Sequence, residues 1–212
     1  MKKIIGIMSL LFACVGMSAQ DFVGYSNRTT VYETYQPAKV TLTTGKVILQ
    51  KQANIFLKNG RMLFKNGHFD MEANMLQIKA VEFNDRTYVR VDTILATVVD
   101  TVGVNRILCR TLIDLEAFSK QKINDRVLSN FQMTDMQVSA TTVDSYDGDN
   151  VYPLFNEFFF EIDGKLVLPH ERVIRRMLPK KQRSRLDFYM QQPDFSWSEK
   201  ASLRLVLELF EK

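Results

Sequence analysis

A short segment in the first third of the chain constrains the fold most. Apolar runs at 55–58 and 61–64 flank Asn59–Gly60. Asn-Gly is the dipeptide that two-residue hairpin turns prefer, because both turn positions must tolerate a positive φ. A second Asn-Gly follows at Asn66–Gly67, before another apolar stretch. Together the two turns predict a three-stranded antiparallel meander over about residues 54–71.

Strand patterns continue on both sides of this meander. Apolar and polar residues alternate from Ala38 onward, and short β-branched runs recur as far as Leu168. Turn residues separate these runs, notably Asn84–Asp85 and Asp163–Gly164. Short strands joined by tight turns indicate a mainly antiparallel β region, which we place over residues 38–168.

Three stretches precede or interrupt the strand pattern. Residues 20–37 hold several tyrosines among polar residues and end at Pro37, which predicts an irregular or edge-strand lead-in. From Glu116 to about Met136 the apolar period loosens toward a helix or a mixed segment. Residues 144–150 are rich in Asp, Asn and Gly and predict a loop.

The C-terminal segment changes from strands to helices. Pro169 and Pro179 stand where the first residue of a helix tolerates proline. The two prolines therefore predict helices over about 170–178 and 180–191.

A third helix is predicted after these two. Ser196 and Glu199 have the spacing of a capping box, and apolar residues at helical spacing continue to about Glu211. Strands followed by helices indicate the α+β class. We therefore predict an antiparallel β-sheet followed by a small C-terminal helical cap (169–212), in one domain with the sheet.

The first nineteen residues predict export from the cytoplasm. Lys2 and Lys3 form a short positive region, Ile4–Val15 is apolar, and small residues follow up to Ala19. This is the layout of a secretory signal peptide, 1–19, and its apolar run is too short to span a bilayer. No later segment has about 18 uninterrupted apolar residues, so we expect no transmembrane segment in the mature chain.

The composition then limits the partners. The apolar fraction of 46% and the aromatic fraction of 11% exclude a disordered chain. Removing Lys2 and Lys3 with the signal reduces Lys+Arg from 28 to 26 against 24 Asp+Glu, a net charge of +2. We expect no nucleic-acid partner, because such binding needs a strong positive excess.

The two cysteines have different expected fates. Cys14 lies in the apolar signal region, and Leu11–Cys14 resembles a lipobox, so lipidation is the alternative to cleavage after Ala19. Cys109 lies in an apolar run and is expected to be buried, with a reactive role as the alternative. The predicted location is periplasmic, outer-membrane-associated or secreted.

No motif for a metal, a cofactor or nucleophilic catalysis is visible. The only histidines are His68 and His170, without the partner spacing of a metal site, and we expect them at the surface or at a helix cap. There is no nucleophile elbow and no glycine-rich phosphate loop. We therefore predict no cofactor.

Carboxylates leave hydrolysis open as an alternative. Glu157 and Glu161 lie on the same face of a predicted strand, and Asp147 and Asp149 lie in the loop before it. A glycosidase uses such a pair, about 5 to 10 Å apart. A solvated strand face explains Glu157 and Glu161 equally well, since half-buried strands alternate in this way.

A basic cluster is the most distinctive surface feature of the sequence. Its seven members fall within the two helices predicted after Pro169: Arg172, Arg175, Arg176, Lys180, Lys181, Arg183 and Arg185. Outside the cytoplasm it would meet an anionic envelope surface, such as a membrane, lipopolysaccharide or an acidic glycan. The alternative is a solvated helix pair whose basic stems cover apolar surface.

Four aromatic residues are candidates for stacking on sugars. They are Tyr146, Tyr152, Tyr189 and Trp197. Packing in or at the rim of the core is the alternative.

Several segments resemble known sequences. The stretch EFFFEIDGKLVLPHERVIRRMLPKKQRSRLDFYMQQPDFSW resembles the C-terminal part of uncharacterised secreted proteins of Bacteroidota-type bacteria. IFLKNGRMLFKNG with FNDRTYVRV resembles their hairpin region, and SAQD resembles their signal-peptide end. The resemblance implies export and assigns no functional residue.

The sequence favours an exported, non-enzymatic envelope protein that binds or scaffolds. Its expected partner is an anionic envelope surface or another envelope protein, met through the basic cluster. The alternative function is a carboxylate-dependent, glycosidase-like hydrolase acting outside the cytoplasm. A concave cleft with two close carboxylates favours the hydrolase, and a flat or convex charged face favours binding.

Overall fold

The computed structural model describes residues 24–125 and 150–211. The predicted signal peptide with Cys14, and the loop candidates Tyr146, Asp147 and Asp149, lie outside the described residues. So does the second half of the segment predicted as helical or mixed, beyond residue 125.

The described chain is mostly antiparallel β-sheet with a few short helices. The strands are β1 (Tyr25–Ser26), β2 (Gln36–Leu42), β3 (Val47–Phe56), β4 (Arg61–Asn66), β5 (Phe69–Glu72), β6 (Ile78–Glu82), β7 (Thr87–Val91), β8 (Ile94–Val102), β9 (Asn105–Ile113), β10 (Tyr152–Ile162) and β11 (Lys165–Val167). The helices are α1 (Leu115–Asp125), α2 (Glu171–Met177), α3 (Lys180–Met190) and α4 (Lys200–Glu208), with a 3-10 turn at Met75–Gln77. The predicted antiparallel sheet is confirmed, and the helices are few and small.

The strands form one sheet in the order β1-β10-β9-β8-β7-β6-β2-β3-β4-β5, with β11 paired to the end of β10. Every neighbouring pair is antiparallel. Most neighbours are consecutive in sequence and joined by tight turns, as in a meander. The exception in the middle is β2, which lies between β3 and β6.

The predicted meander is confirmed as β3-β4-β5, but its first turn is longer than expected. The β3–β4 ladder ends at Phe56, and a four-residue loop follows that closes with Gly60 N–H donating to Phe56 O at 2.7 Å. The cause is Leu57, whose N–H donates to Thr29 O (2.8 Å) and whose carbonyl accepts from Ile113 N–H (2.9 Å). Because the N–H and C=O groups of Leu57 are bonded to other segments, they do not form the hydrogen bonds that would extend the β3–β4 ladder.

The other turns are tight. Asn66 pairs with Phe69, so the second turn of the meander is Gly67–His68, one residue later than the dipeptide indicated. Gly67 supplies the positive φ of +63° that this turn requires. At Asp163–Gly164 both residues have positive φ, +48° and +74°, which confirms the predicted two-residue turn between β10 and β11.

The lead-in is attached to the sheet by a buried polar residue. Asn54 in β3 is 1% exposed; its Oδ1 accepts from Tyr32 N–H at 3.0 Å, and its Nδ2 donates to Tyr32 O at 2.9 Å. These bonds explain why a strand interior tolerates an amide. At the end of the lead-in, Pro37 already belongs to β2, beside a register shift that accommodates it.

The sheet curls so that the β3–β4 loop contacts the start of β8. Leu95 N–H donates to Gly60 O at 2.8 Å across this contact. The curled sheet encloses a first core of Ala38, Val40, Ala53, Ile55, Met62, Met75, Ile78, Val81, Phe83, Tyr88 and Leu95. Apolar burial of this kind is the main stabilising contribution to the fold.

A second core lies between the other end of the sheet and the C-terminal helices. Strands β8, β9 and β10 contribute Val102, Ile107, Phe160 and Ile162, and the helical segment contributes Ile174, Leu178, Leu186, Leu203, Val206, Leu207 and Leu209. The helices therefore cover one face of these three strands.

The C-terminal helices agree with the predicted segments, with one difference. Helices α2 and α3 begin and end within one residue of their predicted bounds. The predicted capping box is wrong, because α4 starts at Lys200 with Glu199 as its N-cap residue. Ser196 lies a turn earlier, where its Oγ accepts from Ser198 N–H (3.2 Å) and its own N–H donates to Ser202 Oγ (3.1 Å).

Candidate anion-binding surface

Helix α2 is positioned by a histidine cap and by two buried residues. His170 is the N-cap residue, and its Nδ1 accepts from Arg172 N–H at 3.2 Å, which confirms the expected surface or capping role. Ile174 and Leu178 are buried in the second core. Arg172 and Arg176, four residues apart, therefore share the opposite, solvent-facing side of the helix.

Helix α3 follows directly and has the same division between an inner and an outer face. Leu186 is fully buried in the second core, with Tyr189 and Met190 packed partly against it. On the outer face, Lys181 and Phe188 are exposed and lie seven residues apart, which is two helical turns. Phe188 is 61% exposed, an unusual position for so large an apolar side chain.

The seven predicted basic residues separate into two groups. Arg175 donates to Glu171 Oε1 at 2.9 Å and also pairs with Asp187, so it links α2 to α3. The hydrogen bond with Asp187, followed by that with Glu171, raises the pKa of Arg175 above its usual value. This arginine holds the helix pair together and is already neutralised by two carboxylates.

Two more arginines bond within the helix pair. Arg183 Nε donates to Leu178 O at 3.3 Å, at the carboxyl end of α2, where basic side chains are favoured. Arg185 Nη2 donates to Tyr189 Oη at 3.2 Å on its own helix. Both side chains are therefore engaged in hydrogen bonds within the helix pair.

The other four basic side chains remain exposed: Arg172, Arg176, Lys180 and Lys181. None of them forms a side-chain hydrogen bond or ion pair with another described residue. We call these four residues the basic helix surface.

The charge of the chain is concentrated around this surface. Residues 171–190 hold seven basic and two acidic side chains, a net charge of +5. The rest of the segment 20–212 holds 19 basic and 22 acidic side chains, a net charge of −3. The described residues outside 171–190 hold 17 basic and 17 acidic side chains, so the net positive charge of the described structure lies on the helix pair.

The carboxylates proposed for hydrolysis are paired with arginines of the neighbouring strand. Glu157 lies opposite Arg110 and forms an ion pair with it. Glu161 lies opposite Arg106, and the distance from Arg106 Nη2 to Glu161 Oε2 is 2.5 Å. Four residues of strand separate the two glutamates by about 13 Å along β10. That spacing exceeds the about 5 to 10 Å of a glycosidase pair.

An open groove of about 320 Å³ lies between β10, the start of α2 and the Trp197 turn. Three residues that were separate candidates in the sequence line this groove together: Glu157, His170 and Trp197. In this groove Glu157 has Arg110 as its partner, and His170 uses Nδ1 to cap α2. Both groups therefore already have structural roles.

The aromatic candidates pack within the protein where they are described. Tyr152 is 1% exposed and lies against Phe118, with ring centroids 4.7 Å apart. Tyr189 packs against the second core, and Trp197 meets Phe195 edge-on at 5.2 Å. The packing alternative is therefore confirmed for these three.

The remaining sequence candidates lie as follows. His68 is exposed in the β4–β5 turn, and Cys109 is buried in β9, as expected. Within residues 24–125 and 150–211, no group of three or more His, Cys, Asp and Glu is placed to hold a metal ion. In the same part of the chain, no helix has the length and apolar content needed to cross a membrane.

The exposed apolar residues beside the basic helix surface were not predicted from the sequence. Val173 and Met177, four residues apart on α2, are 37% and 38% exposed, and Phe188 is exposed on α3. One signal was available: Phe188 lies two residues after Leu186, so on a helix these two side chains point to nearly opposite sides and cannot both face the core.

No protein-family model, no curated protein and no solved structure matches this chain. The resemblance to secreted proteins of Bacteroidota-type bacteria therefore stays a prediction.

Proposed function

We propose that this protein is an exported, non-enzymatic α+β protein that binds an anionic component of the cell envelope through its basic helix surface. One observation carries the proposal. Four cationic side chains on α2 and α3 point away from the second core and have no partner among the described residues. The signal-peptide pattern supports the envelope as the place of binding.

The electrostatic attraction of the four cationic side chains is strong enough for reversible binding. A Lys or Arg near an anionic surface contributes about 1 kcal/mol, so four of them contribute about 4 kcal/mol, or about a thousandfold in affinity. The attraction is screened over about 8 Å at physiological salt, so binding should weaken as salt rises. The described residues outside 171–190 hold 17 basic and 17 acidic side chains, so the net positive charge of the described structure lies on the helix pair and would orient it toward the anion.

The hydrolase alternative has no favouring observation among the described residues. Glu157 and Glu161 are each engaged by an arginine and are too far apart along β10 for a glycosidase pair. Asp147 and Asp149 lie outside the described residues. We therefore do not propose hydrolysis.

Neutralising the basic helix surface tests the proposal. The variant carries four changes: Arg172→Gln, Arg176→Gln, Lys180→Gln and Lys181→Gln. We expect it to leave the envelope fraction of the cells and to elute from an immobilised polysulfated polymer at lower salt. None of the four side chains is buried, so the fold should survive, and far-ultraviolet circular dichroism checks this.

A matched control removes the same charge elsewhere. Four exposed lysines of the strands and of the β2–β3 turn are changed to Gln: Lys46, Lys51, Lys79 and Lys165. The control should behave like the wild type if the position of the charge matters. Equal behaviour of both variants, or envelope association that survives the helix changes, would contradict the proposal.

A further inference from the structure

We infer that the anionic component is the surface of a lipid bilayer, and that Phe188 inserts into it beside the basic side chains of α3. This inference rests on the proposed function and adds a partner to it. Exposed apolar residues share the outer faces of α2 and α3 with the charged side chains.

On α3, the exposed phenylalanine has basic neighbours on its own face. Lys181 precedes Phe188 by two turns, and Arg185 precedes it by three residues, which places both on the same side of the helix. Ser184, one turn before Phe188, is small and exposed, so it leaves the ring accessible. Leu186 points the opposite way, into the second core.

Helix α2 has a similar arrangement on a smaller scale. Val173 and Met177 lie one turn apart and are each more than a third exposed. Arg172 and Arg176 precede them directly in sequence and are exposed. Each helix therefore has exposed apolar and exposed cationic side chains close together.

This combination fits a bilayer surface better than a soluble polyanion. A headgroup layer offers phosphate groups to the cations and an apolar boundary just below them, as interfacial helices use. Long basic side chains can keep their charged ends among the phosphates while their stems lie along the apolar layer. A polysaccharide or a polysulfate offers the charges but no such layer for Phe188.

Burial of one phenylalanine ring should raise membrane partitioning by at least about tenfold. The test compares the wild type with Phe188→Ala on sedimenting vesicles, made of phosphatidylcholine alone or with about one third phosphatidylglycerol. We expect binding to the anionic vesicles only, and a loss of about tenfold in the variant. Elution from the polysulfated polymer should not change, because that support has no apolar layer.

Two further variants make the result specific. Phe69→Ala removes a ring that is 76% exposed on β5, far along the sheet, and should leave vesicle binding unchanged. Phe188→Leu keeps an apolar side chain and should restore most of the binding.

The outcomes separate the two proposals. If the wild type binds the polymer but not the vesicles, or if Phe188→Ala lowers vesicle and polymer binding equally or neither, the lipid inference is overturned and the proposed function stands. If the wild type binds neither support, the proposed function fails as well.

Discussion

Gly60 shows how one residue can be constrained both by its backbone and by its neighbours. Its φ is +68°, and an added Cβ would lie 3.2 Å from Ile94 Cβ and 3.3 Å from Leu112 Cδ2. Gly67 has nearly the same φ, +63°, but an added Cβ there would meet nothing within 4 Å. The two positions therefore share the backbone requirement and differ in packing.

Replacing each glycine with alanine should separate these two effects. We expect Gly67→Ala to lower the free energy of unfolding by about 1 kcal/mol, the cost of a left-handed conformation for a residue with a Cβ. Gly60→Ala should lower it by about 2–4 kcal/mol, because overpacking against β8 and β9 is added. Equilibrium urea unfolding measures both values, and equal losses would show that the close approach at Gly60 does not matter.

At this scale the sequence predicted the turns but not their detailed form. Dipeptide preferences report which residues tolerate positive φ, and they located both turns of the meander. The length of the first loop depends on bonds from Leu57 to Thr29 and Ile113, which are distant in sequence. In the same way, all seven basic residues could be identified from the sequence. Only the fold shows that Arg175 forms an ion pair with Asp187.

Among the elements, α4 joins the helical cap to the sheet. Leu207 is fully buried against the second core, whereas Leu205 on the same helix is 40% exposed. We expect Leu207→Ala to lower the free energy of unfolding by about 3 kcal/mol, through lost burial and the cavity left behind. Leu205→Ala is the matched control and should cost less than about 1 kcal/mol.

Two probes follow this unfolding in different parts of the molecule. Trp197 is the only tryptophan and packs against the second core, so its fluorescence reports on the cap. Far-ultraviolet circular dichroism reports on the strands and the helices together. We expect both transitions to shift together in Leu207→Ala, since the second core joins β8–β10 to the helices; a fluorescence transition that comes before the main circular dichroism transition would mean that the cap unfolds separately.

Element types were easier to predict than element boundaries and partners. Proline positions gave the ends of α2 and α3 to within a residue, because proline restricts the backbone locally. The start of α4 was missed because Ser196 bonds to Ser198 and Ser202 instead of capping a helix. The pairing of β2 with β6 has no local signal, since it joins strands separated by the whole β3–β5 meander.

For the whole molecule, the distribution of charge is more informative than its total. The segment 171–190 carries +5 and the rest of residues 20–212 carries −3. A surface with negative charge would attract the helix pair more than the other described residues, which hold 17 basic and 17 acidic side chains, and this favours one docking orientation. Composition alone predicts only the small net charge. Which basic residues face solvent without a partner depends on the fold.

Three buried or half-buried tyrosines make the stability of the fold fall at alkaline pH. Burial, followed by the hydrogen bond to Asp85, raises the pKa of Tyr32 well above its ordinary value of 10.0. Burial, followed by the neighbouring Asp70 carboxylate, raises the pKa of Tyr35, and burial raises the pKa of Tyr88. In each case the folded state favours the neutral phenol.

The sign of the effect follows from proton binding. Above about pH 10 the unfolded chain loses phenolic protons that the folded chain keeps, so the unfolded state binds fewer protons and stability falls as pH rises. The contribution of these tyrosines is fully present below about pH 10 and is lost progressively toward their folded-state pKa values. We therefore expect unfolding to require less urea at about pH 11 than at neutral pH.

Substitution of these phenols should flatten the pH dependence. In a variant with Tyr32→Phe, Tyr35→Phe and Tyr88→Phe, the difference in free energy of unfolding between neutral pH and about pH 11 should be smaller than in the wild type, whatever its stability at neutral pH. Tyr25→Phe, which removes a 64% exposed phenol, is the control and should leave that difference unchanged. If the triple variant loses as much stability as the wild type over the same pH interval, then groups other than these buried phenols cause the alkaline loss.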